Sequence, residues 1–136
     1  MILQIPENAK TYELNNSIIW FDNEGILYSQ PKAVIDDEAS DEEILSEMEK
    51  FRAITGNKKV CMIAEAHPKG GKPPKKEQRA LIAKEISSVT KAMAVITTSS
   101  LSRMIINLFF GFKPPDYPVK MCKNEQEAKE WIRKYL

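Results

Sequence analysis

The hydrophobic positions change period several times along the chain, and these changes lay out its elements. Residues 11–14 form a short run before the Asn15-Asn16 turn, and Ser17-Ile-Ile-Trp-Phe follows, rich in β-branched and aromatic residues. Runs of this kind between turn residues predict strands. Asp22-Asn-Glu-Gly25 is a tight turn, and Ile26-Leu-Tyr-Ser is the partner of the strand before it. Gly25 supplies the positive φ that such a hairpin needs. Pro31, with no amide hydrogen, ends that pairing or sets it on an edge. Residues 33–35 are a candidate for one more extended piece.

From residue 40 the period lengthens. Ser40-Asp-Glu-Glu43 is a capping box, in which the hydroxyl accepts the amide of Glu43 and the Glu43 carboxylate reaches back. Ile44, Leu45, Met48, Phe51 and Ile54 then recur at helical spacing, which predicts a helix with these residues inward. Gly56-Asn57 closes it. Acidic residues at its start, with Lys50 and Arg52 near its end, suit the helix dipole.

Lys59-Val-Cys-Met-Ile-Ala-Glu is a continuous apolar run and predicts a buried strand. A helix resumes near Lys75 or Lys76 and runs to about residue 88, with Ile82, Ile86 and Val89 inward and Ala83 beside them. Lys91-Ala-Met-Ala-Val-Ile-Thr-Thr predicts another buried strand, and Ser99-Ser100 caps a helix over 101–112. Lys113-Pro-Pro-Asp-Tyr-Pro breaks the chain before a last short strand, Val119-Lys-Met-Cys. Asn124-Glu-Gln-Glu127 caps a final helix that puts Ala128, Trp131, Ile132 and Tyr135 on one side. The order predicts an α/β fold: an N-terminal β-hairpin, then alternating β/α units in a mixed, mainly parallel sheet with right-handed crossovers. One domain spans 1–136, with 1–10 as an N-terminal extension, and no internal repeat or linker divides it.

The helix over 101–112 carries more apolar surface than one sheet can cover. Leu101, Ile105, Leu108 and Phe112 share a face, and Met104, Ile106, Phe109 and Phe110 continue apolar surface around much of the rest. A helix on a single sheet buries one stripe. The surplus goes against another element, a second chain, a partner or a lipid. Met104, Ile106, Phe109 and Phe110 are therefore the candidate partner or ligand surface, since exposed apolar patches mark such sites and interface cores favour these residue types.

Composition narrows the classes. The chain has 136 residues, 43% hydrophobic and 29% charged, with a net charge of +1. That balance is ordinary for a globular domain and argues against a nucleic-acid binder, which carries a basic footprint. No stretch approaches the roughly 20 apolar residues of a spanning helix, and no leader pattern opens the chain, so a cytoplasmic protein is expected. Cys61 and Cys122 each lie in a predicted strand and read as buried, reduced thiols. With a single histidine, His67, no metal template is matched and no cofactor is expected.

Two polar stretches are candidate anion sites. Lys69 and Lys72 flank Gly70-Gly71 ahead of a helix start, with Lys75, Lys76 and Arg79 close behind. Helix amino termini attract anions, yet the Walker pattern is absent, and a solvated charged loop has the same composition. Ser99, Ser100 and Arg103 stand after a central strand, where α/β sheets bind ligands, and capping alone also explains a serine there. His67 and Glu65 lie two residues apart at a strand end, a spacing that lets both face one way. No serine or cysteine nucleophile signature accompanies them, so no catalytic residue is assigned.

Three stretches together resemble a known family. They are Trp20-Phe-Asp-Asn-Glu-Gly-Ile-Leu-Tyr with the acidic helix after it, Ala92-Met-Ala-Val-Ile-Thr-Thr-Ser-Ser-Leu-Ser-Arg-Met-Ile-Ile-Asn, and Pro118-Val-Lys-Met-Cys followed by Asn124-Glu-Gln-Glu-Ala-Lys-Glu-Trp-Ile. From about residue 11 onward the chain resembles the STAS domain of sulfate transporters and anti-sigma-factor antagonists, and more narrowly its small stand-alone bacterial relatives. The β/α order together with the over-apolar helix over 101–112 leads to the expectation of a non-enzymatic regulatory or protein-interaction module of this fold, assembled as a homodimer. Signalling members carry an Asp-Ser-Ser/Thr-Gly phosphorylation motif after a central strand. The matching stretch here, residues 65–77, holds no Ser or Thr, so that switch is not expected. An architectural likeness to lipid-exchange domains implies the alternative, a carrier or sensor of an apolar small molecule in a pocket beside the 101–112 helix.

Overall fold

The computed structural model describes residues 3–33, 40–67, 75–97 and 115–136. These residues form an α/β fold with a six-stranded mixed sheet, mostly parallel, and three helices. The strands are β1 (Thr11–Glu13), β2 (Ser17–Phe21), β3 (Leu27–Pro31), β4 (Val60–Glu65), β5 (Thr90–Ile96) and β6 (Val119–Cys122). They lie in sequence order across the sheet. β1, β2 and β3 pair antiparallel, and β3 through β6 pair parallel. The expected hairpin and β/α alternation are thus present.

The turn chemistry is the one the sequence requires. Asp22 Oδ1 accepts the amides of Glu24 and Ile26 at 2.8 and 2.9 Å, and Gly25 takes φ 81°. Helix α1 (Asp41–Thr55) starts at Ser40, whose hydroxyl accepts the Glu43 amide at 3.2 Å in a complete capping box. It ends at Gly56 with φ 69°. Helix α2 (Lys76–Val89) passes straight into β5, and the Thr90 hydroxyl donates to Ile86 O at 2.7 Å across that junction. Helix α3 (Glu125–Ile132) is capped by Asn124, which accepts the Glu127 amide at 2.8 Å.

Strand alternation divides the core between two faces. Trp20, Tyr28, Ile63, Ala92, Ala94 and Ile96 point to one side, where Ala128 and Ile132 of α3 cover them. Three alanines, Ala92, Ala94 and Ala128, are wholly buried there and let the helix approach the sheet closely. Ile19, Leu27 and Met62 point to the other side, against Phe51 and Ile54 of α1 and Val89 of α2. Full burial of a side chain of this size stabilises the fold by about 1.5–3 kcal/mol.

One expectation changes. Leu45, whose spacing puts it on the inward stripe, is 45% exposed. The stripe that meets the sheet runs through Ile44, Phe51, Ile54 and Thr55, and Leu45 stands one residue to its side. Ahead of β1, Leu3 is 2% exposed within the α3-side cluster, while residues 4–8 are exposed. The expected helix over 101–112, the basic loop and the extended piece beyond residue 33 lie outside the described residues.

Candidate functional site

Open α/β sheets place ligands at the carboxyl ends of their parallel strands. Here that edge is formed by the ends of β3, β4, β5 and β6. Backbone bonding continues just past the strands: the Ala66 amide donates to Ile96 O at 2.9 Å, and the Thr97 amide to Cys122 O at 3.0 Å. The ladder therefore continues one residue past the ends of β4 and β5.

Glu65, the last residue of β4, is only 6% exposed. Its Oε1 accepts the Leu3 amide at 2.6 Å. Gln30, one step beyond the paired Ser29 and Ala64, donates from Nε2 to Leu3 O. Two neighbouring strands thus hold both backbone polar groups of one residue. A buried carboxyl group needs such a partner, since desolvation without one costs several kcal/mol. His67 Nε2 lies 3.3 Å from Ala33 O, at the exit of β3. Glu65 and His67, paired in the sequence by their spacing, are each engaged with the chain's own backbone.

The remaining candidates are placed as follows. Lys69, Gly70, Gly71 and Lys72, and Ser99, Ser100, Arg103, Met104, Ile106, Phe109 and Phe110, lie outside the described residues. The segments that carry them connect to His67 and Thr97, which are on adjacent strand ends. Cys61 and Cys122 are buried free thiols, as the sequence indicated. Burial pushes both thiols up from the ordinary value, with Lys91 opposing the shift at Cys61 and Glu127 adding to it at Cys122. Among the described residues no group of three or more His, Cys, Asp or Glu side chains is arranged to hold a metal ion.

An open cleft of about 490 Å³ lies between the β1–β2 turn and α1. Its polar lining serves the fold: Glu47 accepts the Asn15 amide at 2.7 Å, Lys50 donates to Glu13 O at 2.5 Å, and Glu43 completes the cap of α1. At the opposite end of the sheet, Arg133 bonds both carboxylate oxygens of Glu24, the shorter contact being 2.9 Å. That hydrogen bonding holds the Glu24 carboxyl below the usual range.

Sequence reasoning missed Leu3 and Gln30. Leu3 precedes every predicted element, and Gln30 reads as an ordinary polar strand residue. The one available signal was Glu65 itself, an ionisable side chain closing an otherwise apolar run.

The fold and this edge define a small α/β protein of mixed sheet with helices on both faces. A model of the family described as "Domain of unknown function (DUF7793)" matches residues 19–136, and the chain belongs to that family. Comparison with curated proteins and with solved structures gives no match. No helix among the described residues is long and apolar enough to cross a membrane.

Proposed function

We propose that this chain is a non-enzymatic regulatory or protein-interaction module of STAS-like fold, cytoplasmic and homodimeric. The observation that carries the reading is the engagement of Glu65 and His67. At the edge where an α/β enzyme presents its acid and base, these two bond to Leu3 and Ala33 of the same chain. These bonds give both side chains a part in holding neighbouring backbone at this edge. The sequence over 101–112 supports the interaction half of the reading, since Met104, Ile106, Phe109 and Phe110 exceed what one sheet face covers.

Native mass spectrometry of freshly purified protein tests this. A mass equal to two chains, with nothing else bound, is the expected result. A monomer carrying a lipid-sized adduct would favour the alternative, a carrier or sensor of an apolar small molecule. A bare monomer would remove both readings.

A further inference from the structure

The N-terminal segment meets the sheet in an unusual way. Residues 4–8 are exposed, yet Leu3 at their far end is 2% exposed and packs with the α3-side core. No strand ladder holds it. Its amide is accepted by Glu65 Oε1 at 2.6 Å, and its carbonyl accepts from Gln30 Nε2. The segment is otherwise fastened near Ala9, whose amide donates to Pro6 O at 3.1 Å and whose side chain packs on the same cluster. An anchor residue held by two side chains, then an exposed tether, is how a peptide ligand sits on a receptor. Backbone groups supply affinity, and a pocket for one side chain supplies selectivity.

We propose that the carboxyl ends of β3 and β4 form a peptide-binding slot, filled in cis by Leu3. The slot takes one apolar residue of an extended segment, with Glu65 reading its N–H, Gln30 its C=O and the α3-side core its side chain. The N-terminal segment is a detachable occupant rather than a fixed part of the core. This proposal is independent of the dimer reading and stands or falls apart from it.

The tether sets the terms of the test. A short flexible link gives an effective concentration of the order of millimolar, so a free peptide competes poorly while Leu3 is intact. The full-length chain carrying Leu3→Asp weakens the cis occupant. A labelled peptide of residues 1–9, Met-Ile-Leu-Gln-Ile-Pro-Glu-Asn-Ala, is then titrated by fluorescence polarisation. The expected result is saturable binding about tenfold or more tighter than to the unaltered chain. Adding Gln30→Ala to the Leu3→Asp chain should weaken it, and a peptide with Asp in place of its leucine should not bind. Absence of binding to a folded Leu3→Asp chain, or equal binding to the unaltered chain, overturns the proposal. If Leu3→Asp fails to fold, amide hydrogen exchange on the unaltered protein decides. A detachable anchor exposes the Leu3 amide about tenfold or more often than the Ile63 and Ala94 amides. Equal protection of all three overturns it.

Discussion

Ile132 of α3 is wholly buried against the sheet, in the cluster that holds Trp20, Ile63 and Ile96. Ile132→Ala removes three carbons from that contact. At ~0.8 kcal/mol for each buried methylene, lost transfer energy alone comes to ~2.4 kcal/mol. The cavity adds to this, because a sheet backed by two helices on its other face cannot collapse freely, and measured isoleucine-to-alanine costs run about 2–5 kcal/mol. We expect a loss of ~3 kcal/mol. For a chain of this length, unfolding entropy of ~2.1 cal/mol/K per residue converts that loss to a Tm drop of ~10 °C. Urea denaturation followed by circular dichroism measures it, with an unchanged slope showing that the unfolded state is unaffected. Leu136→Ala is the control: Leu136 is 53% exposed, so its removal should fall within about 0.5 kcal/mol of zero. A loss below ~1 kcal/mol at Ile132, or equal losses at the two sites, would mean that α3 does not seal the second face.

Three further outcomes follow from the same structure. Gly56→Ala should cost about 1–2 kcal/mol by urea denaturation, since φ is 69° and nothing lies within 4 Å of an added Cβ, leaving backbone strain as the whole effect; Gly56→Asn should cost less. Cys61 and Cys122 should resist a thiol reagent in the native protein and react fully once unfolded, because burial both hides them and raises their pKa; rapid native labelling would contradict the packing on the α3 side. The Arg133 hydrogen bond lowers the folded pKa of Glu24 from 4.5, so its stabilisation is present above that value and lost as pH falls through the lowered one. The stability gap between the unaltered chain and Arg133→Ala should therefore exist near neutrality and close in acid, and a gap that widened in acid would refute the pairing.

Much of the fold was legible because local chemistry and global packing agree in it. The Asp22–Gly25 turn, the Ser40–Glu43 box, Gly56 and the Asn124 cap each announce a boundary by a short-range hydrogen bond or backbone angle. Inward faces followed from period, with Ala128, Trp131, Ile132 and Tyr135 packed together as their spacing implied. Leu45 shows the limit of that reasoning. An apolar residue beside a stripe fits the period nearly as well as one on it, and only the sheet's position decides. The Leu3 clamp was illegible for another reason. It joins residues 62 positions apart through side chains, and no local pattern encodes such a contact.

The most direct test of the interaction reading is the mass in solution across a concentration series. Light scattering on the unaltered chain should give twice the 15.5 kDa of one chain, and Phe110→Lys should return it to a single chain. A single-chain mass at high concentration, or a double mass that survives Phe110→Lys, would contradict a docking face formed by the apolar residues of 101–112.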